Sequence, residues 1–205
     1  MKVVFALIVM LAAGPVAAAK PKPVVAASPD WRGVATRDDL RRLRTWREAF
    51  VEGLAQARSS GHGAAVDAEG ELLNPDAAID GGAMPPGDYR CRTIKLGNAA
   101  GVGLGFISYP FFACRVTADG PAIRFEKLGG SQRPVGRLFA GGLRRQVFVG
   151  TLVLGDEIRP LGYGRDPQRD MIGAIERIGP QKWRLVLPYP RFESTLDIIE
   201  ILPAN

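Results

Sequence analysis

Histidine is almost absent from this 205-residue chain, His62 being the only one. A Ser-His-Asp relay therefore has a single candidate base, and its neighbours Ser59 and Ser60 are explained by the ending of a helix. There is no Gly-x-Ser-x-Gly elbow and no Ser-x-x-Lys motif, so His-based and Ser-Lys hydrolysis are both disfavoured. Cysteine is nearly as scarce, with two residues and no zinc-finger spacing. Lysine is sparse, so arginine supplies most of the 27 basic residues; against 21 acids the formal charge is +6. The basic residues are scattered, with no polybasic block and no RNP-like motif, which argues against a nucleic-acid partner. The one long apolar run falls well short of the ~20 residues a membrane-spanning helix needs.

That run belongs to a leader. Lys2 precedes Val3 to Ala13, Gly14-Pro15 breaks the run, and Ala17-Ala18-Ala19 supplies a small-residue cleavage site. Cleavage after Ala19 leaves 186 residues at a charge of +5, enough for one domain over 30–205 behind a Pro- and Ala-rich flexible linker, 20–29. The expected location is periplasmic or secreted, as a monomer with no membrane span once the leader is gone.

An amphipathic helix is expected over Thr36–Arg58. Thr36 is a good N-cap with Asp39 three residues on, and Leu40, Leu43, Trp46, Phe50, Leu54 and Ala57 form one apolar stripe. Residues 62–88 read as a long connection with one short helix, Pro75–Ile79. Strand-like runs follow at Tyr89–Leu96, Gly105–Thr117, Ala122–Lys127, Val135–Phe139, Gln146–Leu154, Ile158–Tyr163, Met171–Ile178, Lys182–Leu187 and Thr195–Leu202. Their short connections leave no room for crossover helices. The fold expected is mainly β (α+β): the helix packed on an antiparallel, barrel-like sheet of eight to nine strands.

Cys91 and Cys114 lie symmetrically about Gly101-Val102-Gly103, so a hairpin centred on Val102 pairs residues whose numbers sum to 205. The two cysteines then face one another, and in an exported chain they form a disulfide. The same register puts Tyr89, Cys91, Thr93, Phe112, Cys114 and Val116 on one face. Arg90, Arg92 and Arg115 fall on the other, with Arg90 opposite Arg115, a candidate anion site. Gly129-Gly130-Ser131-Gln132-Arg133-Pro134 is a candidate ligand loop through Ser131 and Arg133. No catalytic residue, metal site or cofactor is assigned. Asp67-Ala68-Glu69-Gly70-Glu71 starts like a calcium loop, but Leu72 and Ala78 occupy the required Gly and Glu positions. Asp156, Glu157, Asp166 and Asp170 are the carboxylates an acid–base enzyme would need to bring together, and ordinary turn chemistry explains them better.

Several stretches carry a family likeness: Pro86-Gly87-Asp88-Tyr89-Arg90-Cys91-Arg92, Gly130-Ser131-Gln132-Arg133-Pro134, Arg169-Asp170-Met171, Glu176-Arg177-Ile178-Gly179-Pro180 and Trp183-Arg184-Leu185-Val186. The chain resembles an exported bacterial family catalogued as domain of unknown function 4893, a resemblance that implies no established activity. A looser, fold-level likeness is to lipocalin-type barrels, through Gly87-x-Tyr89 in place of Gly-x-Trp and Trp183-Arg184 late in the sheet. The function expected is an exported, non-catalytic binding module for a small ligand or an envelope protein. A carboxylate-dependent hydrolase, a structural or envelope-stress protein and a protease inhibitor are the alternatives.

Overall fold

Apolar residues at every second position are accommodated by closing the sheet on itself. The structure is a computed structural model and describes residues 30–81, 83–98, 101, 105–120 and 122–204. The leader and linker expected over 1–29, and Val102 and Gly103 at the centre of the expected turn, lie outside the described residues. The strands are β1 (Gly87–Leu96), β2 (Phe106–Ser108), β3 (Phe112–Asp119), β4 (Ala122–Lys127), β5 (Gln132–Ala140), β6 (Arg145–Leu154), β7 (Asp170–Gly179), β8 (Lys182–Pro188) and β9 (Leu196–Pro203). All pairings are antiparallel. Strands β3 to β9 pair in sequence, β1 pairs with β3, and β1 also pairs with β9 from Tyr89↔Pro203 to Leu96↔Leu196. That last ladder closes an eight-stranded barrel, with β2 as a short extra strand on the far half of β1.

The expected strand Gly105–Thr117 is divided into β2 and β3 by Tyr109-Pro110-Phe111. Pro110 has no N–H to give to a ladder. Paired residue numbers sum to 203 along β1–β3 and 202 along β1–β2, so one extra residue is bulged between them. The hairpin is therefore shifted by two from the expected register, which preserves the faces but changes the partners. Cys91 lies opposite Phe112 and Cys114 opposite Tyr89, so the cysteines are diagonal rather than directly opposed. They are nonetheless disulfide-bonded, with Cα atoms 5.9 Å apart. Arg115 faces Asp88, and Arg90 faces Ala113. The run Ile158–Tyr163 is not a strand: it lies in the β6–β7 loop, where Ile158 is 94% exposed.

The barrel interior is filled by one apolar cluster. Phe125 and Phe148 meet edge to face at 6.1 Å, and Tyr89 and Trp183 do so at 6.0 Å. Met84 is buried with this cluster and donates its N–H to Gln146 Oε1 at 2.9 Å, at the end of the barrel where β1 begins and β6 begins. Gly136 and Gly150 are cross-strand partners. A Cβ on Gly150 would lie 2.2 Å from the Val135 carbonyl oxygen and 2.7 Å from the Phe148 ring. Gly150→Ala should consequently cost about 2–3 kcal/mol through overpacking against backbone, measured as a lower urea midpoint at unchanged m-value.

The helical segment covers the outside of the barrel. Helices α1 (Trp31–Val34), α2 (Arg37–Arg44), α3 (Trp46–Ala57) and α4 (Gly63–Ala68) run in sequence. The single helix expected over Thr36–Arg58 is interrupted at Thr45 (φ −95°, ψ 20°), and the chain kinks at Gly61, whose φ is 88°. Thr36 caps α2 as expected, accepting from the Asp39 N–H at 3.2 Å. The Asp39 carboxylate turns away from the cap to the Arg42 guanidinium and the Tyr163 hydroxyl. No helix forms at Pro75–Ile79. Helix α3 buries Ala49, Phe50, Gly53 and Ala57; at Gly53 a Cβ would come within 3.1 Å of Leu196 and 3.3 Å of Leu96. These two leucines are partners in the closing ladder, so α3 seals the seam of the barrel.

Candidate functional site at the open end of the barrel

Alternation carries polar side chains as well as apolar ones to the inner wall. Thr93 and Lys95 continue the inward face of Tyr89 and Cys91 on β1; Lys127 continues that of Phe125 on β4; Asp197 precedes Ile199 and Ile201 on β9. All four lie at the end opposite Met84. Lys95, Lys127 and Asp197 are 4–5% exposed.

Lys95 and Asp197 are direct cross-strand partners, Nζ to Oδ2 3.2 Å. Ser194 donates to the other carboxylate oxygen at 2.5 Å. Burial raises the Asp197 pKa, opposed by Lys95 and Ser194. Glu193 approaches Lys95 from the β8–β9 loop at 3.7 Å. Glu193 and Tyr189 in this loop are non-glycine residues at positive φ, 65° and 45°, and between them Phe192 packs onto the barrel core.

Lys127 is differently placed. Its ammonium donates to the carbonyls of Gly129 (2.6 Å) and Gln132 (3.1 Å) and lies 4.4 Å from the Phe112 ring centre. It has no carboxylate partner among the described residues. Burial, reinforced by the positive charge of Arg133, lowers its pKa from 10.5 to about 8. Gly130, at φ +85°, permits this placement: a Cβ there would meet Nζ at 2.8 Å.

Two spaces that share part of their lining lie at this end. An inner cavity of about 30 Å³ lies beside Lys95, Asp197, Leu152 and Ile199, room for one or two waters. An outer cleft of about 180 Å³ is lined by Tyr109, Phe112, Lys127, Gly130, Ser131 and Glu193. Thr93, Lys95 and Gln132 line both. Neither reaches the ~300 Å³ of an ordinary drug-sized site, so the interior does not offer the space for a bulky apolar ligand.

Of the residues singled out in the sequence, Ser131 stands at the rim of the outer cleft. Arg133 does not point into it; its guanidinium donates to the carbonyls of Gly130, Gly155 and Glu157 and braces the β4–β5 turn against the next loop. The other arginines are on the outer wall. Arg92 pairs with Glu69 and Glu200, Arg115 pairs with Asp88 at 2.6 Å, and Arg90 stacks over Phe111 at 4.9 Å. The structure thus does not gather Arg90, Arg92, Arg115, Ser131 and Arg133 into one place. Among the loop carboxylates, Glu157 and Asp166 both pair with Arg169, Asp156 is exposed, and Asp170 is buried with its pKa raised by desolvation. Arg169 holds the Glu157 carboxyl below its ordinary value. The two inner lysines and Asp197 were missed in the sequence, although their parity with Cys91, Phe125 and Ile199 marks them as facing inward.

A closed antiparallel barrel, jacketed by helices on its outer wall and charged at one mouth, is the class of protein that this geometry defines. The chain belongs to the family described as Domain of unknown function (DUF4893), which matches residues 31–201. No curated protein and no solved structure matches it.

Proposed function

We propose that the protein is a binding module that takes a small anion, a carboxylate or phosphate, at the open end of the barrel. The observation that carries this reading is Lys127: a buried ammonium without a carboxylate, lining a cleft that also holds Lys95, Tyr109 and Ser131. A buried cation whose charge is met only by two carbonyls and a ring face is costly, and an anion in the cleft relieves that cost. The disulfide fits work outside the reducing cytoplasm, and among the described residues no helix is long and apolar enough to cross a membrane. The same reading includes a signal peptide over 1–19, a linker over 20–29 and an exported domain over 30–205.

Titration with inorganic phosphate and short carboxylates, followed by thermal unfolding, tests the reading. Ligand at 100 times its Kd should add about 2.7 kcal/mol, or roughly 5–10 °C in Tm. Lys127→Met should abolish the shift without destabilising the free protein. The unfolded chain holds the Lys127 proton more tightly than the native one, so this group's penalty is complete below pH about 8 and fades towards 10.5. Anion affinity should accordingly fall as pH rises through about 8, where the amine loses its charge. An unchanged shift in Lys127→Met would overturn the proposal. A structural scaffold is the second reading, favoured by the filled interior; it predicts no shift with any anion.

A further inference from the structure

A second cleft, of about 580 Å³, lies on the outside of the barrel between the first helices and strands β6 and β7. It is independent of the mouth. Trp31, Leu40, Leu43 and Trp46 form one wall; Val147 and Ala174 form the other. Its charged lining is all of one sign, Arg32, Arg44 and Arg145; Arg32 is paired at 3.4 Å with Asp30, which does not line the cleft. Arg44 has no ion pair among the described residues. Arg145 reaches Glu176 at 2.6 Å, but Glu176 is fully buried and also holds Arg184 at 2.7 Å, so one carboxylate serves two guanidiniums. Arg145 lies 3.9 Å over the Trp46 ring and Arg32 lies 4.4 Å over Trp31, presenting cations along an aromatic floor. The cleft is within the range of a small-molecule site. The geometry points to an anionic amphiphile as its occupant, with an apolar chain against the tryptophans and a single carboxylate facing Arg44 and Arg145.

The two tryptophans in the cleft supply the readout, since Trp183 is inside the barrel. Titration with decanoate below its micellar range should shift or quench Trp emission saturably. Trp31→Phe/Trp46→Phe should remove the signal. Arg44→Glu, at an exposed position, should weaken binding about tenfold or more, while Lys127→Met should leave it unchanged. Decanol, of equal chain length and no charge, should bind about tenfold less tightly. The inference is overturned by an absent response to decanoate, by equal affinity for decanol, or by full affinity in Arg44→Glu.

Discussion

Arg184→Ala should lower the free energy of unfolding by about 3–5 kcal/mol, the usual consequence of stripping one partner from a buried ion pair. Arg184 stands on the outer face of β8, where period-two alternation would send it to solvent, yet its side chain is fully buried. Its Nε donates to Glu176 at 2.8 Å, and Nη1 donates to the carbonyls of Leu72 and Asn74 at 2.9 and 2.6 Å. The guanidinium also stacks over Phe50 at 5.0 Å. It is the fastening between the barrel and the segment after α4. Removal leaves two carbonyls without this donor and Glu176 with Arg145 alone. Urea denaturation would measure the loss, and hydrogen exchange should show lost protection first in residues 63–79. Arg184→Lys should rescue little, because an ammonium cannot span the same acceptors. A cost below about 1 kcal/mol would show that the segment is held by its apolar contacts, about 1.5–3 kcal/mol for each fully buried side chain.

Loss of the disulfide comes next. Cys91→Ala/Cys114→Ala should cost about 3 kcal/mol, the chain-entropy figure for a loop of this size; the cysteines are 23 residues apart. For a chain of this length the drop in Tm is roughly 6–12 °C. The wild type scanned with reductant, which keeps both sulfurs in the core, should fall by somewhat less, and an identical Tm with and without reductant would refute the prediction. Both side chains are buried among the interior cluster, so their removal also loosens packing beside Tyr89 and Trp183.

These two features differ in how they could be read from sequence. The disulfide and the two faces of the first hairpin were legible because parity survives a register shift of two. The register was not, since its turn and the bulge at Pro110 are set by backbone geometry that alternation does not encode. Ile158–Tyr163 has strand composition but finds no neighbour to pair with. Arg184 and Glu176 sit at outward positions and are buried only because a helical segment from far earlier in the chain lies over them. The mouth was legible in principle: Lys95 and Lys127 break apolar patterns on the inward face, a conflict that signals function more often than error.

Helix α3 seals a seam between the first barrel strand and the last, and this sets the order in which the molecule can form. Tyr89 must wait for Pro203 and Leu96 for Leu196, contacts about 100 residues apart that form only once β9 has been made. Such a topology folds slowly. A ring that closes between β1 and β9 leaves the β1 edge of that seam unpaired, and open to mispairing, until the last barrel strand has been made.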